Sequence, residues 1–139
     1  MDIRIYFDGG SVGNRVCWYD HVAKKYYVKN LIKKCTNNEL EYWALILAIK
    51  YYKKAYGFGD EFNPIFIGDS QLVVGQIAKG FKCNFTHLKY LQSKVFQELS
   101  SLHMNTDTYE QHIMWIGRDS NYAGMHLEKL INRERSNRL

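Results

Sequence analysis

The hydrophobic period of this chain first changes near Thr36, and that change limits the fold more than any other feature. Before it, Ile3, Ile5 and Phe7 alternate with Arg4, Tyr6 and Asp8, a period of two that sends one face of a strand into a core. The segment from Gly9 to Asn14 has turn composition, and residues 16–19 and 26–30 are short runs rich in aromatic and β-branched side chains. Three strands joined by short turns predict an antiparallel meander. After it, Leu40, Ala44, Leu47 and Tyr51 recur at helical spacing and predict a helix over residues 39–56. Thr36-x-x-Glu39 has the form of a capping box before that helix, and Gly57 and Gly59 stop it.

The remaining chain alternates strands and helices. Residues 64–67 read as a buried strand that stops at Gly68-Asp69-Ser70. A short helix follows through Leu72, Val73, Gln76 and Ile77, and a longer one opens at Thr86 with Leu88, Leu91, Val95, Leu99 and Leu102 on one face. A last strand is expected over residues 112–116 and a last helix from Asn121 through Leu127, Leu130 and Ile131, with a polar, frayed tail over residues 133–138. Strands separated by helices require crossovers and parallel pairing. The expected architecture is therefore α/β: a mixed five-stranded sheet, antiparallel meander plus parallel strands, flanked by helices. Its 139 residues suit one domain, residues 1–139.

Composition excludes several alternatives. No apolar run reaches the roughly 18 residues of a membrane span, and the N-terminus enters a strand with no signal-peptide core, so a cytoplasmic protein is expected. Three scattered cysteines form no C-x-x-C pair, which argues against a zinc knuckle or a redox motif. The net charge of +5 suits a polyanionic partner, and residues 24–54 hold eight lysines against two acids.

Three carboxylates stand out by position. Asp8 closes the first strand and Asp69 the fourth, and ligands of open α/β sheets gather where strands end. Glu41 lies in the first turn of the long helix. Taken singly, each has an ordinary explanation in turn chemistry, helix capping or the helix dipole. If the long helix starts beside the same sheet edge, three hard oxygen donors converge, a set suited to Mg²⁺ or Mn²⁺.

The residues around these acids carry a resemblance. Tyr6-Phe7-Asp8-Gly9-Gly10-Ser11-Val12-Gly13-Asn14, Thr36-Asn37-Asn38-Glu39-Leu40-Glu41-Tyr42, Gly68-Asp69-Ser70-Gln71-Leu72-Val73 and Arg118-Asp119-Ser120-Asn121 resemble, in order, four motifs of type 1 ribonuclease H. The space between Asp69 and His112 holds no extra basic helix, and Gly80-Phe81-Lys82 is similar to the short connector of the handle-less, archaeal-like branch. The resemblance implies a ribonuclease H-like fold and an endoribonuclease that hydrolyses the RNA strand of RNA/DNA hybrids with two divalent ions, Mg²⁺ or Mn²⁺. It makes Asp8, Glu41 and Asp69 the catalytic metal ligands, with Asp8 bridging. Gly9, Gly10, Ser11, Asn14, Asn37, Asn38 and Arg118 become the substrate-binding set. The fold needs no partner chain, so a monomer is expected. In this family a fourth carboxylate follows the asparagine by four residues. That count reaches Met125 here, with Gly124 at the preceding small position. Asn121 is the first candidate to replace the missing ligand, ahead of Asp119 and Glu128. A catalytically weak hybrid-binding module and a DNA-directed nuclease of the wider superfamily are the alternative readings.

Overall fold

The computed structural model describes residues 1–102, 104 and 106–137. Five strands, β1 (Asp2–Gly10), β2 (Arg15–Asp20), β3 (Lys25–Asn30), β4 (Asn63–Gly68) and β5 (Ile113–Trp115), form one sheet in the order β3-β2-β1-β4-β5. β1–β2 and β2–β3 are antiparallel, whereas β1–β4 and β4–β5 are parallel, which is the mixed sheet expected from the change of period. Among the described residues five helices flank it: α1 (Asn37–Tyr56), α2 (Gln71–Ala78), α3 (Thr86–Ser100), the single turn α4 (Tyr109–His112) and α5 (Tyr122–Asn137).

Alternation in β1 divides the interior in two. Ile3, Ile5 and Phe7 are fully buried in the large core with Leu40, Leu45 and Ile49 of α1, Val73 of α2 and Leu91 and Val95 of α3. Burial of each such side chain contributes about 1.5–3 kcal/mol. Tyr6 points the other way and joins Cys17, Tyr19, Ile65, Ile67 and, from α5, Ala123 and Leu127. The central strand is thus clamped from both sides, and its C-terminal end is held where three helices begin.

The capping box forms. Thr36 Oγ1 accepts from Glu39 N at 3.3 Å, and Glu39 Oε1 accepts from Thr36 N at 2.9 Å. α1 consequently begins at Asn37, two residues before the expected start. Gly9 and Gly10, read as turn, still pair with Val16 and Arg15 in the sheet. The last strand is shorter than expected because Tyr109–His112 closes into a helical turn, where the His112 ring lies 2.8 Å from the Pro64 carbonyl. The expected fraying at residues 133–137 is replaced by helix, and Arg138 falls outside the described residues. Charge fixes this end: the Arg15 guanidinium, 6% exposed, gives paired hydrogen bonds of 2.8 Å to both carboxylate oxygens of Glu134, 119 residues away. All three cysteines are free thiols. Among the described residues, no helix is long and apolar enough to cross a membrane.

Candidate metal centre

Asp8 and Asp69 reach one place because β1 and β4 are parallel neighbours. Tyr6 pairs with Ile67, and two further residues on each strand bring the two aspartates level. Glu41 arrives from the first turns of α1, which packs directly on the end of β1. The approach is so close that a Cβ at Gly9 would overlap the Leu40 carbonyl group and Glu41 N. Glycine at position 9 therefore serves packing as well as exposure, and its own N–H donates to Glu41 Oε1 at 3.1 Å. Carboxylate oxygens of Asp8, Glu41 and Asp69 all lie within 4.8 Å of one another.

The electrostatics of this cluster are unfavourable without a cation. Asp8 is 7% exposed and Glu41 8%. Burial pushes Asp8 up to about 6, and the negative charge of Asp69 adds to the rise. Glu41, the Arg118 charge and the Gly9 N–H oppose it. Burial, then the charge of Asp8, holds Glu41 well above the usual carboxylate range. Glu41 Oε2 is buried with no hydrogen-bond partner among the described residues. A buried acceptor left unpaired is costly. A hard divalent cation among three carboxylates supplies what no nearby donor does, and the oxygen-only set fits Mg²⁺ or Mn²⁺.

No protein-family model matches the chain, and no curated relative matches its sequence. Solved structures do match. RNase H1 from the halophilic archaeon Halobacterium salinarum is 25% identical, covers 91% of this chain and 94% of its own, and superposes with a TM-score of 0.70. LC11-RNase H1 in complex with an RNA/DNA hybrid is 25% identical over 86% of this chain and 88% of its own, with a TM-score of 0.62. The N-terminal RNase H domain of a Mycobacterium tuberculosis protein shares the fold at 24% identity over 89% and 88% of the two chains, TM-score 0.64. This chain has the ribonuclease H1 fold. Within that fold, the ends of β1 and β4 and the start of α1 carry its three acids together.

The helix that follows the last strand of the ribonuclease H1 fold departs from expectation. Asn121 is fully buried beside the carboxylates, but it turns its NH₂ toward them, donating to Asp69 Oδ2 and to the Phe7 carbonyl at 3.0 Å each. Its oxygen faces away and accepts from Ala123 N at 3.2 Å. Asn121 thus presents a donor to Asp69 and opens α5. Gly124, the residue before Met125, packs against the acids. A Cβ at Gly124 would stand 3.3 Å from Asp8 Oδ2 and 3.3 Å from Asp69 Oδ2. Helical geometry rotates the next residue about 100° away from that direction. Position 124 lies so near the acids that even a Cβ would be a tight contact. Asp119 and Glu128 are exposed and lie outside the cluster, Glu128 standing 4.0 Å from Arg118.

The substrate-binding candidates occupy the same edge in different ways. Ser11, Asn37, Asn38 and Arg118 are exposed, and Gly9 and Gly10 are half-buried. Asn14 turns inward: its amide donates to the carbonyls of Leu31 and Lys33 and accepts from Cys35 N. Trp115, which sequence reading placed as an ordinary strand residue, donates from Nε1 to the Asp69 carbonyl at 3.1 Å while 48% exposed. The signal for it was its place opposite Gly68, visible only once β4 and β5 pair.

Proposed function

We propose that this chain is a divalent-metal-dependent endoribonuclease that hydrolyses the RNA strand of RNA/DNA hybrids. The observation that carries the reading is the convergence of Asp8, Glu41 and Asp69 around a buried, partnerless carboxylate oxygen in a ribonuclease H1 fold. The hybrid-bound LC11-RNase H1 supports the substrate class. Asp8, Glu41 and Asp69 would hold the metal, which when bound supplies an activated water and stabilises the leaving oxygen of an in-line displacement. The chain's own groups do the rest. Asn121 fixes the Asp69 carboxylate through its NH₂. The Gly9 N–H fixes Glu41. Gly10 and Ser11 expose backbone to the wide, shallow minor groove of a hybrid, where 2′-hydroxyls distinguish RNA from DNA. Asn37 and Asn38 offer amides from the start of α1, and exposed Arg118 offers charge to a phosphate.

Methionine at position 125, where the resemblance puts a fourth acid, favours a second reading, a hybrid-binding module of low activity. One experiment separates the two. An end-labelled RNA/DNA hybrid, a DNA duplex and an RNA duplex are incubated with the protein in Mg²⁺ and in Mn²⁺. Cleavage of the hybrid's RNA strand alone supports the nuclease. Hybrid binding without cleavage in either metal supports the module, and comparable cutting of the DNA duplex overturns both.

A further inference from the structure

The turn between β1 and β2 and the linker between β3 and α1 are fastened by one side chain. Gly13 and Asn14 both adopt left-handed backbone, with φ of 79° and 50°. Asparagine tolerates that region better than other side-chain-bearing residues. The conformation points the Asn14 amide into the linker. Nδ2 donates to Leu31 O and Lys33 O, each at 2.8 Å, and Oδ1 accepts from Cys35 N at 2.9 Å. The backbone completes the seam: Leu31 N donates to Asn14 O at 2.9 Å and Asn30 Nδ2 donates to Gly13 O at 2.8 Å. Both amide protons of Asn14 are spent, so it has no donor left for a ribose or a base edge. One residue after Cys35 stands the α1 cap Thr36, followed by Asn37 and Asn38.

We propose that Asn14 is a positioning residue rather than a substrate contact: it sets the separation between Gly10–Ser11 and Asn37–Asn38, so that two segments meet one hybrid in a fixed register. This rests on the nuclease reading for the identity of the substrate, and on the hydrogen bonds alone for the strut.

The test uses two variants of the full chain. Asn14→Gly retains access to the left-handed backbone and removes all three side-chain bonds. Asn14→Asp keeps the acceptor for Cys35 N and sets a carboxylate against two carbonyl oxygens. For both, the KM for hybrid should rise about tenfold with kcat within about twofold, since loss of register weakens binding before chemistry. Affinity for Mn²⁺ should stay at the parental value. Amide hydrogen exchange over residues 31–38 should accelerate. The KM penalty should be the same on every substrate of a series in which single ribonucleotides are replaced by 2′-deoxy residues. A penalty that vanishes when one particular 2′-hydroxyl is removed overturns the proposal, because Asn14 then touches that sugar. Parental exchange at Cys35 in folded Asn14→Gly overturns it as well. The exchange measurement needs no activity, so loss of the nuclease reading and loss of the strut are separate results.

Discussion

Asp20, at the end of β2, and Asp8, near the end of β1, are both buried carboxylates of one sheet, yet their surroundings are opposite. Asp20 is fully buried and accepts four hydrogen bonds: 3.0 Å from Val22 N and Ala23 N, and 2.6 Å from the hydroxyls of Tyr51 and Tyr56 on α1. Burial alone would raise its pKa, but the two hydroxyls and two backbone N–H groups outweigh it and hold the group below its ordinary value. Asp8 is nearly as buried and faces the carboxyl groups of Glu41 and Asp69, so burial and the Asp69 charge push its pKa up to about 6 against the opposition of Glu41, Arg118 and the Gly9 N–H. The same sheet provides donors for one acid and leaves the other short of positive charge. A satisfied buried acid secures a loop, whereas an unsatisfied one is a place prepared for a cation.

The contrast breaks most sharply by substitution at Asp8. Asp8→Asn should reduce hybrid cleavage about 10³-fold or more, about 4 kcal/mol of transition-state stabilisation, while raising the melting temperature of the metal-free protein. Cleavage at the parental rate, with contaminating nuclease excluded, would remove Asp8 from the site. Asp20→Ala should do the reverse. It strands two hydroxyls and two N–H groups, costs roughly 3 kcal/mol and lowers the melting temperature by about 10 °C, with Mn²⁺ affinity unchanged. A melting temperature within a degree of the parent would mean that Asp20 is dispensable and the comparison empty.

Acidity sharpens the same contrast. Burial pushes Asp8 up to about 6 in the folded state, whereas the unfolded chain returns it to the ordinary aspartate value of about 3.9. Protonation therefore favours the folded state, and metal-free stability should rise as pH falls from 7 toward 5, by about 2 kcal/mol at most. Asp20 has the opposite sign: its contribution is present above its ordinary pKa and is lost only in more acidic solution. With Mn²⁺ bound, Asp8 stays ionised, so the metal-induced gain in melting temperature should shrink below about pH 6. Melting curves against pH, in EDTA and in Mn²⁺, read both; a metal-induced gain that grows on acidification would contradict the assigned ligand. The smallest expected change is at α5. Met125→Asp adds a carboxylate next to the crowded Gly124 position and should tighten Mn²⁺ binding about tenfold, about 1.4 kcal/mol. Gly124→Ala, whose Cβ stands 3.3 Å from an oxygen of each aspartate, should weaken it about twofold. Calorimetric titration of both folded variants reads both, and no tightening by Met125→Asp would take position 125 out of the site.

Local rules made much of this legible. Alternation in Ile3, Ile5 and Phe7, the capping box from Thr36 to Glu39 and the change from period two to helical spacing specify the mixed sheet and the start of α1, because each depends on neighbours in sequence. Asp8, Glu41 and Asp69 could be singled out because strand ends and a helix start are also local features. What the sequence left hidden depends on contacts across the fold. The Asn121 amide is oriented by the Phe7 carbonyl, 114 residues away, and by Asp69. Counting from Asn121 cannot reveal how closely Gly124 packs against the acids. Asn14 looked like a free amide in a turn until the linker from Leu31 to Cys35 closed over it.

The ion pair between Arg15 and Glu134 has a consequence for biosynthesis. Chains emerge at about 5–20 residues per second, so the 119 residues between the partners separate their appearance by roughly 6–24 s. Throughout that interval the guanidinium has no carboxylate from α5, and Asp69, once made, waits a further 52 residues for the Asn121 donor that fixes it. A ribosome-bound chain that has grown past Asp69 therefore carries its three acids without the last helix that organises them. The acidic cluster is completed only when α5 docks, which makes the finished site a late event in the life of each molecule.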